Sequence, residues 1–420
     1  MARRTVVEVV VVAVLASGLA VAGTQLQPAP KFVVGSRRWV AAWAAPPGAA
    51  ATGGPQLAAT FPDGRAHDQT LREVIQLAVG GEAFRVRLTN QYGEAPLVVS
   101  AASVAPALSG QAVDPGREAR LSFGGAPGTR VPAGQEVTSD PVAASVGGGQ
   151  LLAISLAVRG TSPVPTLHEF AGRTSGISAP GSGDLTGHPD GQAFGIHTTT
   201  EFWLATVEVL DPPTAARDVV ALGDSLTDPY FLTDGDLTWP QMLQRRLLAS
   251  PSQTNVGVLN GGLTANTVTD VACAACGDPL MNRVIRDAVN LPGVDTAIVE
   301  AGSNDISGGA SAARIVHGLA SVAAILHAHG RRAIAMTIPP RLDGAFGWRS
   351  VTMDPVRRAV NGWLRGTHDF DALVDADRIL ADPAHPSRMV PGYAQADGLH
   401  LTTPGRAALA SAVPLALLWR

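Results

Sequence analysis

The stretch Asp218-Val219-Val220-Ala221-Leu222-Gly223-Asp224-Ser225-Leu226-Thr227 decides how the chain is read. Val219 to Leu222 is an unbroken apolar run with the length of a short buried strand. It stops at Gly-Asp-Ser, where glycine permits a tight turn and leaves a serine at the strand's carboxyl end. In open α/β sheets that edge is where sites form. A serine there becomes a nucleophile only with a base, an orienting acid and donors for a developing oxyanion. Alone, the four residues Gly223 to Leu226 read equally well as a turn with a helix-capping serine. Three stretches further along the chain decide between the two.

After Thr227, strand-like and helix-like runs alternate. Counting the run at 219–222 itself, the strands are expected at 219–222, 256–259, 296–301, 333–338 and 372–374, and the helices at 239–248, 281–289, 312–328, 355–364 and 405–418. Such alternation implies a parallel sheet covered on both faces, a flavodoxin-like three-layer α/β/α domain over 213–420. Upstream the pattern differs. Phe84-Arg85-Val86-Arg87-Leu88-Thr89-Asn90 alternates apolar and polar residues as a half-buried strand does. Further strand candidates lie at 39–43, 70–77, 97–102, 120–123, 151–158 and 201–210, separated by turn-rich segments. An antiparallel β-sandwich of jelly-roll type over 38–212 is the expectation. The segment 174–192, rich in Gly, Ser, Pro and His, reads as a surface loop. Asp211-Pro212-Pro213-Thr214 marks the boundary, because paired prolines end a strand and stiffen a connection.

The first residues read as an export signal. Met1-Ala2-Arg3-Arg4 is a basic start, Val9 to Leu19 is apolar, and Ala20-Val21-Ala22 offers small residues for cleavage before Gly23. The apolar run is short for a membrane span, so no stable membrane anchor is expected after cleavage of 1–22. Residues 23–37 then form a linker, and the mature protein is expected to be secreted. With 420 residues, 46% of them hydrophobic and 16% charged, the chain has ample core for two domains. A net charge of −4 supplies no basic excess for phosphate contacts and argues against a nucleic-acid partner. The two cysteines, Cys273 and Cys276, lack further Cys or His at metal-ligand spacing. In an exported chain they read as a local disulfide that pins a loop.

The expected strand ends bring four stretches to one sheet edge. They are Gly223-Asp224-Ser225, Asn260-Gly261-Gly262-Leu263-Thr264-Ala265-Asn266, Gly302-Ser303-Asn304-Asp305 and, before the last helix, Asp397-Gly398-Leu399-His400. Ester hydrolysis needs what they hold. Ser225 would attack the carbonyl, His400 would take and return its proton, and Asp397 would fix the imidazole tautomer. The backbone N–H groups of Ser225 and Gly262 and the Asn304 amide are the candidate oxyanion donors. Glycine at 262 would let the backbone approach substrate closely. Asp224 and Asp305 read as loop organisers that accept from backbone amides. His168, His188 and His197 fall in the β-rich half and read as non-catalytic.

These four blocks resemble those of the SGNH hydrolases, the GDSL esterases and lipases. Ser225, Gly262, Asn304 and His400 match the four letters of the name, and Asp397 matches the acid of its D-x-x-H block. The likeness spans roughly 216–420, and the β-rich half resembles the N-terminal domain of exported two-domain bacterial members. It implies a serine esterase working through an acyl-enzyme, with no cofactor and no metal, on a small-molecule or glycan ester. Three positions depart from the family's pattern: Pro229 follows Asp228, Ala265 replaces the second block's later glycine, and Glu300 precedes the third block. Two rival readings stand beside it. One is a carbohydrate O-acetylesterase acting on polysaccharide, and the other a non-catalytic glycan- or surface-binding protein.

Overall fold

The computed structural model describes residues 37–210, 218–230, 232, 234–250, 256–271, 273–342 and 353–418. The export signal at 1–22, the linker up to residue 36 and the Asp211-Pro212-Pro213-Thr214 boundary lie outside the described residues.

The strands of the first half pair antiparallel; Phe84–Thr89 alternates buried and half-buried residues over most of its length, while Leu204–Leu210 is buried on both faces. One sheet holds β1 (Trp39–Ala44), β3 (Phe84–Thr89), β7 (Glu136–Thr138) and β13 (Leu204–Leu210), in the order β1-β13-β3-β7. The other is built on β2 (His67–Gln76), β4 (Leu97–Pro106) and β8 (Leu151–Thr161). Around them lie β5 (Ala119–Arg120), β6 (Thr129–Val131), β10 (Ser175–Ile177) and β11 (Ile196–Thr198). A two-stranded ribbon joins β9 (Leu167–His168) to β12 (Glu201–Phe202). Val86, Leu88 and Val207 from the first sheet meet Leu71, Ile75, Val99 and Ile154 from the second in one core. β10 corrects the expectation of an unstructured loop at 174–192. It pairs Gly176 with Arg72, where a side chain on Gly176 would collide with Gln111 and Phe194.

The second half forms a five-stranded parallel sheet of β14 (Asp218–Gly223), β15 (Val258–Gly262), β16 (Val294–Glu300), β17 (Arg332–Met336) and β18 (Ala372–Val374). Its order, β15-β14-β16-β17-β18, is the flavodoxin-like 2-1-3-4-5 arrangement. Val220 and Leu222 point into one apolar layer and Val219 and Ala221 into the other, so β14 is buried on both faces. The short N-terminal helix is α1 (Gly54–Thr60), and α2 (Trp239–Leu248) follows β14. Next come α3 (Leu280–Val284), extended by a π-turn over Ile285–Val289, α4 (Ser303–Ser307) and α5 (Ala312–Ala328). The last are α6 (Met353–Gly366), α7 (Ala376–Leu380) and α8 (Thr403–Ala412). The helix expected at 405–418 stops at Ala412 because Pro414 cannot continue it.

β1 belongs to both halves. Val40 and Ala42 enter the sandwich core, whereas Ala41 joins the apolar layer around α3 and α5. The Ala41 N–H donates to the Pro292 carbonyl at 2.8 Å. Among the described residues no helix is long and apolar enough to cross a membrane.

Candidate active site

The serine's place follows from β14 lying between β15 and β16. All three strands end at the same edge, with Gly223 in register with Gly262 on one side and Glu300 on the other. Ser225 is half-buried just beyond that edge, and its turn is fixed by its neighbours. Asp224 Oδ1 accepts the Leu226 N–H at 3.0 Å, and the Asp224 carbonyl accepts those of Thr227 and Asp228.

His400 comes from the loop before α8 and is 4% exposed. Its Nε2 lies 2.9 Å from Ser225 Oγ and its Nδ1 2.5 Å from Asp397 Oδ2. Asp397 Oδ1 accepts the Leu399 and His400 N–H groups, each at 2.9 Å. Facing a carboxylate, Nδ1 carries the proton and donates, which leaves the Nε2 lone pair toward the serine. Burial lowers the His400 pKa below its ordinary 6.5, aided by the Arg341 charge and opposed by Asp397. Burial pushes Asp397 upward, but the bonds from His400 and the two amides outweigh it and hold the carboxyl below its usual 3.8.

Asn304 sits in α4, directly after β16. Its Nδ2 donates to the Asn266 carbonyl at 3.0 Å and to Asp224 Oδ2 at 3.2 Å. Asp305 braces this corner by accepting the Val268 and Thr269 N–H groups at 2.8 and 2.9 Å. Glu300 accepts from Thr227 Oγ1 at 3.1 Å, and Thr227 in turn accepts from Trp239 Nε1 at 3.2 Å. Burial, with Asp224 alongside, raises the Glu300 pKa well above 4.5 beneath the turn.

Gly262 requires a correction. Its N–H donates to Asn260 Oδ1 at 2.9 Å, so it is not open to a substrate oxygen. Its missing side chain serves the protein itself: a Cβ there would come within 2.4 Å of the Asp228 nitrogen. The open donor of this loop lies three residues on. Ala265 has φ 61°, the left-handed region that favours glycine, which accounts for the glycine usual at this place. The N–H groups of Ala265 and Ser225 have no protein acceptor among the described residues.

Further residues build the site, among them Arg283, Phe170 and Tyr230, which carried no sequence signal. Arg283, fully buried, donates to the Gly223 and Gly261 carbonyls at 3.0 Å and to Asn266 Oδ1 at 2.9 Å, lacing two strand ends together. Asn266 holds the Cys276 carbonyl at 2.8 Å, beside the Cys273–Cys276 disulfide. The sandwich also reaches in. Phe170 packs edge-on against Tyr230 with centroids 4.8 Å apart, and Tyr230 lies 4.7 Å from the His400 ring. His168 bonds Asp228.

Residues 221–408 match the GDSL-like Lipase/Acylhydrolase family. The second half is a domain of that family. No curated protein matches the chain. Solved structures similar to this GDSL domain include a carbohydrate acetylesterase from Sinorhizobium meliloti, 18% identical, with TM-score 0.37 and covering 48% of this chain and 100% of that one. A GDSL-like lipase from Bacteroides thetaiotaomicron is 15% identical, with TM-score 0.36, covering 48% and 87%. An SGNH-hydrolase family esterase is 24% identical, with TM-score 0.34, covering 48% and 95%. Each covers less than half of this chain.

Proposed function

We propose that the protein is an exported serine esterase that hydrolyses carboxylic esters through an acyl-enzyme. The observation that carries this reading is the Ser225–His400–Asp397 relay, with its 2.9 and 2.5 Å contacts. Ser225 attacks the ester carbonyl while His400 Nε2 takes its proton. The oxyanion is met by the Ser225 and Ala265 N–H groups, the latter in the place expected for Gly262, and by the Asn304 amide once it gives up its bond to Asp224. His400 then protonates the departing alcohol, activates water against the acyl-Ser225 ester and returns the proton as the acid leaves. The residues at 1–22 and the Cys273–Cys276 disulfide support export.

Hydrolysis of p-nitrophenyl esters from acetate to palmitate tests the reading. Serine-dependent turnover supports it, and no turnover on any chain length would move the protein to the binding class. A second reading, deacetylation of a glycan, is favoured by the Phe170–Tyr230 pair beside His400, which offers aromatic faces where a sugar would lie. A sharp preference for acetate would select it.

Two further outcomes are expected. Asn304→Ala should lower kcat by about 10²-fold or more, as loss of one oxyanion donor does. An unchanged kcat would exclude Asn304 from that role. His400 works as a base only when neutral, and its pKa lies below 6.5. On the acid side, activity should therefore be full at pH 7 and fall as pH drops through that lowered value, which a pH profile of kcat/KM reads directly.

A further inference from the structure

The sandwich grips the Ser225 turn through one buried side chain. His168, at the end of β9, is 6% exposed, and its ring lies between two acceptors. Nδ1 is 3.0 Å from the Pro46 carbonyl and Nε2 is 3.1 Å from Asp228 Oδ1. A neutral imidazole has one N–H and cannot satisfy both, whereas an imidazolium can. The other Asp228 oxygen accepts the Thr264 N–H at 2.7 Å and the Thr264 hydroxyl at 2.5 Å. With Oδ2 taken by Thr264, Oδ1 is the Asp228 oxygen left to face the imidazole. Asp228 is three residues from Ser225, and Thr264 adjoins Ala265.

We propose that His168 is a positioning residue of the esterase site. As an imidazolium it fixes Asp228, and through Asp228 it locks the Ser225 turn to the loop that carries the Ala265 donor. The inference rests on the esterase reading above.

The groups facing His168 are Asp228 from the GDSL domain, Glu201 across the β9–β12 pair and Glu169 beside it in the chain. Glu73 lies against Glu201. Burial lifts Glu201 to about 8 and Glu169 to about 7, which leaves Asp228 as the main counter-charge at neutral pH. Burial works against the His168 charge, but Asp228, Glu201 and the Pro46 bond overcome it and raise its pKa to about 9. The folded value exceeds the ordinary 6.5, so the bridge's stabilisation is complete below pH 6.5 and is lost as pH rises through about 9.

The test measures kcat and KM from pH 6 to 10 for wild type, His168→Gln and Asp228→Asn, with hydrogen exchange at the Thr264 amide. His168→Gln should lower kcat by about 10²-fold, as small misplacements of reacting groups do, with little change in KM. Asp228→Asn should keep most of the wild-type kcat. Its amide can donate to Nε2 of a neutral His168 while its carbonyl accepts from Thr264. Wild type should lose kcat as pH rises through about 9, and Asp228→Asn should not. Wild-type kcat in His168→Gln, or an alkaline fall that persists in Asp228→Asn, overturns the proposal. Should His168→Gln not fold, the Asp228→Asn profile decides. Should wild type hydrolyse no ester, the esterase reading fails separately. The bridge is then judged by exchange at Thr264, faster in His168→Gln if it exists and unchanged if it does not.

Discussion

Ser225→Ala is expected to lower kcat for ester hydrolysis by roughly 10⁴-fold or more, leaving only what the oxyanion donors and binding provide. The hydroxyl is the one atom that can form the acyl-enzyme, and His400 Nε2 is already 2.9 Å from it. The fold should not notice. The turn is held by Asp224, Arg283 and the neighbouring strand ends, none of which bonds through the Ser225 side chain. Thermal unfolding should therefore match wild type while p-nitrophenyl ester turnover collapses. Retention of more than a small fraction of turnover would mean that another nucleophile is at work.

Asp397→Asn should be nearly as damaging, with kcat lower by about 10⁴-fold, as found where an orienting aspartate becomes an amide. One Asp397 oxygen accepts two backbone N–H groups, at Leu399 and His400, and the other faces His400 Nδ1. An asparagine must keep its carbonyl toward the two amides, so its NH₂ turns to Nδ1. The imidazole then takes the other tautomer, with a proton on Nε2 pointing at Ser225 and no lone pair to receive one. Nitrogen NMR of His400 would report that change, and kcat its consequence. Near-normal kcat in the variant would show that the imidazole is oriented by something else.

Much of this is legible in the chain. Val219–Leu222 ends in Gly-Asp-Ser, and the parallel sheet places that end between two others carrying Asn304 and the 262–266 loop. Motif spacing is a property of strand ends, and sequence reports it well. What stays hidden depends on which backbone groups are already occupied. Gly262 reads as an oxyanion donor because glycine allows close approach, yet what approaches is the Asp228 backbone, and Asn260 holds its N–H. The replacement of a glycine by Ala265 is visible, but not that its backbone still takes φ 61°. Arg283 gives no motif, since its three carbonyl and amide partners come from separate elements. His168 reads as a bystander because sequence distance conceals contact: it lies 60 positions from Asp228.

The pairing of Trp39 with Leu210, at opposite ends of the sandwich in sequence, governs how the chain must be made. During synthesis β1 emerges first yet finds its hydrogen-bonding partner only when β13 has emerged too, so the sandwich's longest loop closes last. Contacts this remote in sequence form slowly. In the meantime Val40 and Ala42 remain without their core, and the nascent first half exposes an open β edge of the kind that recruits chaperones or neighbouring chains. Yield of folded protein should therefore depend on the rate of translation through the second half far less than on what shields that edge until Leu210 arrives.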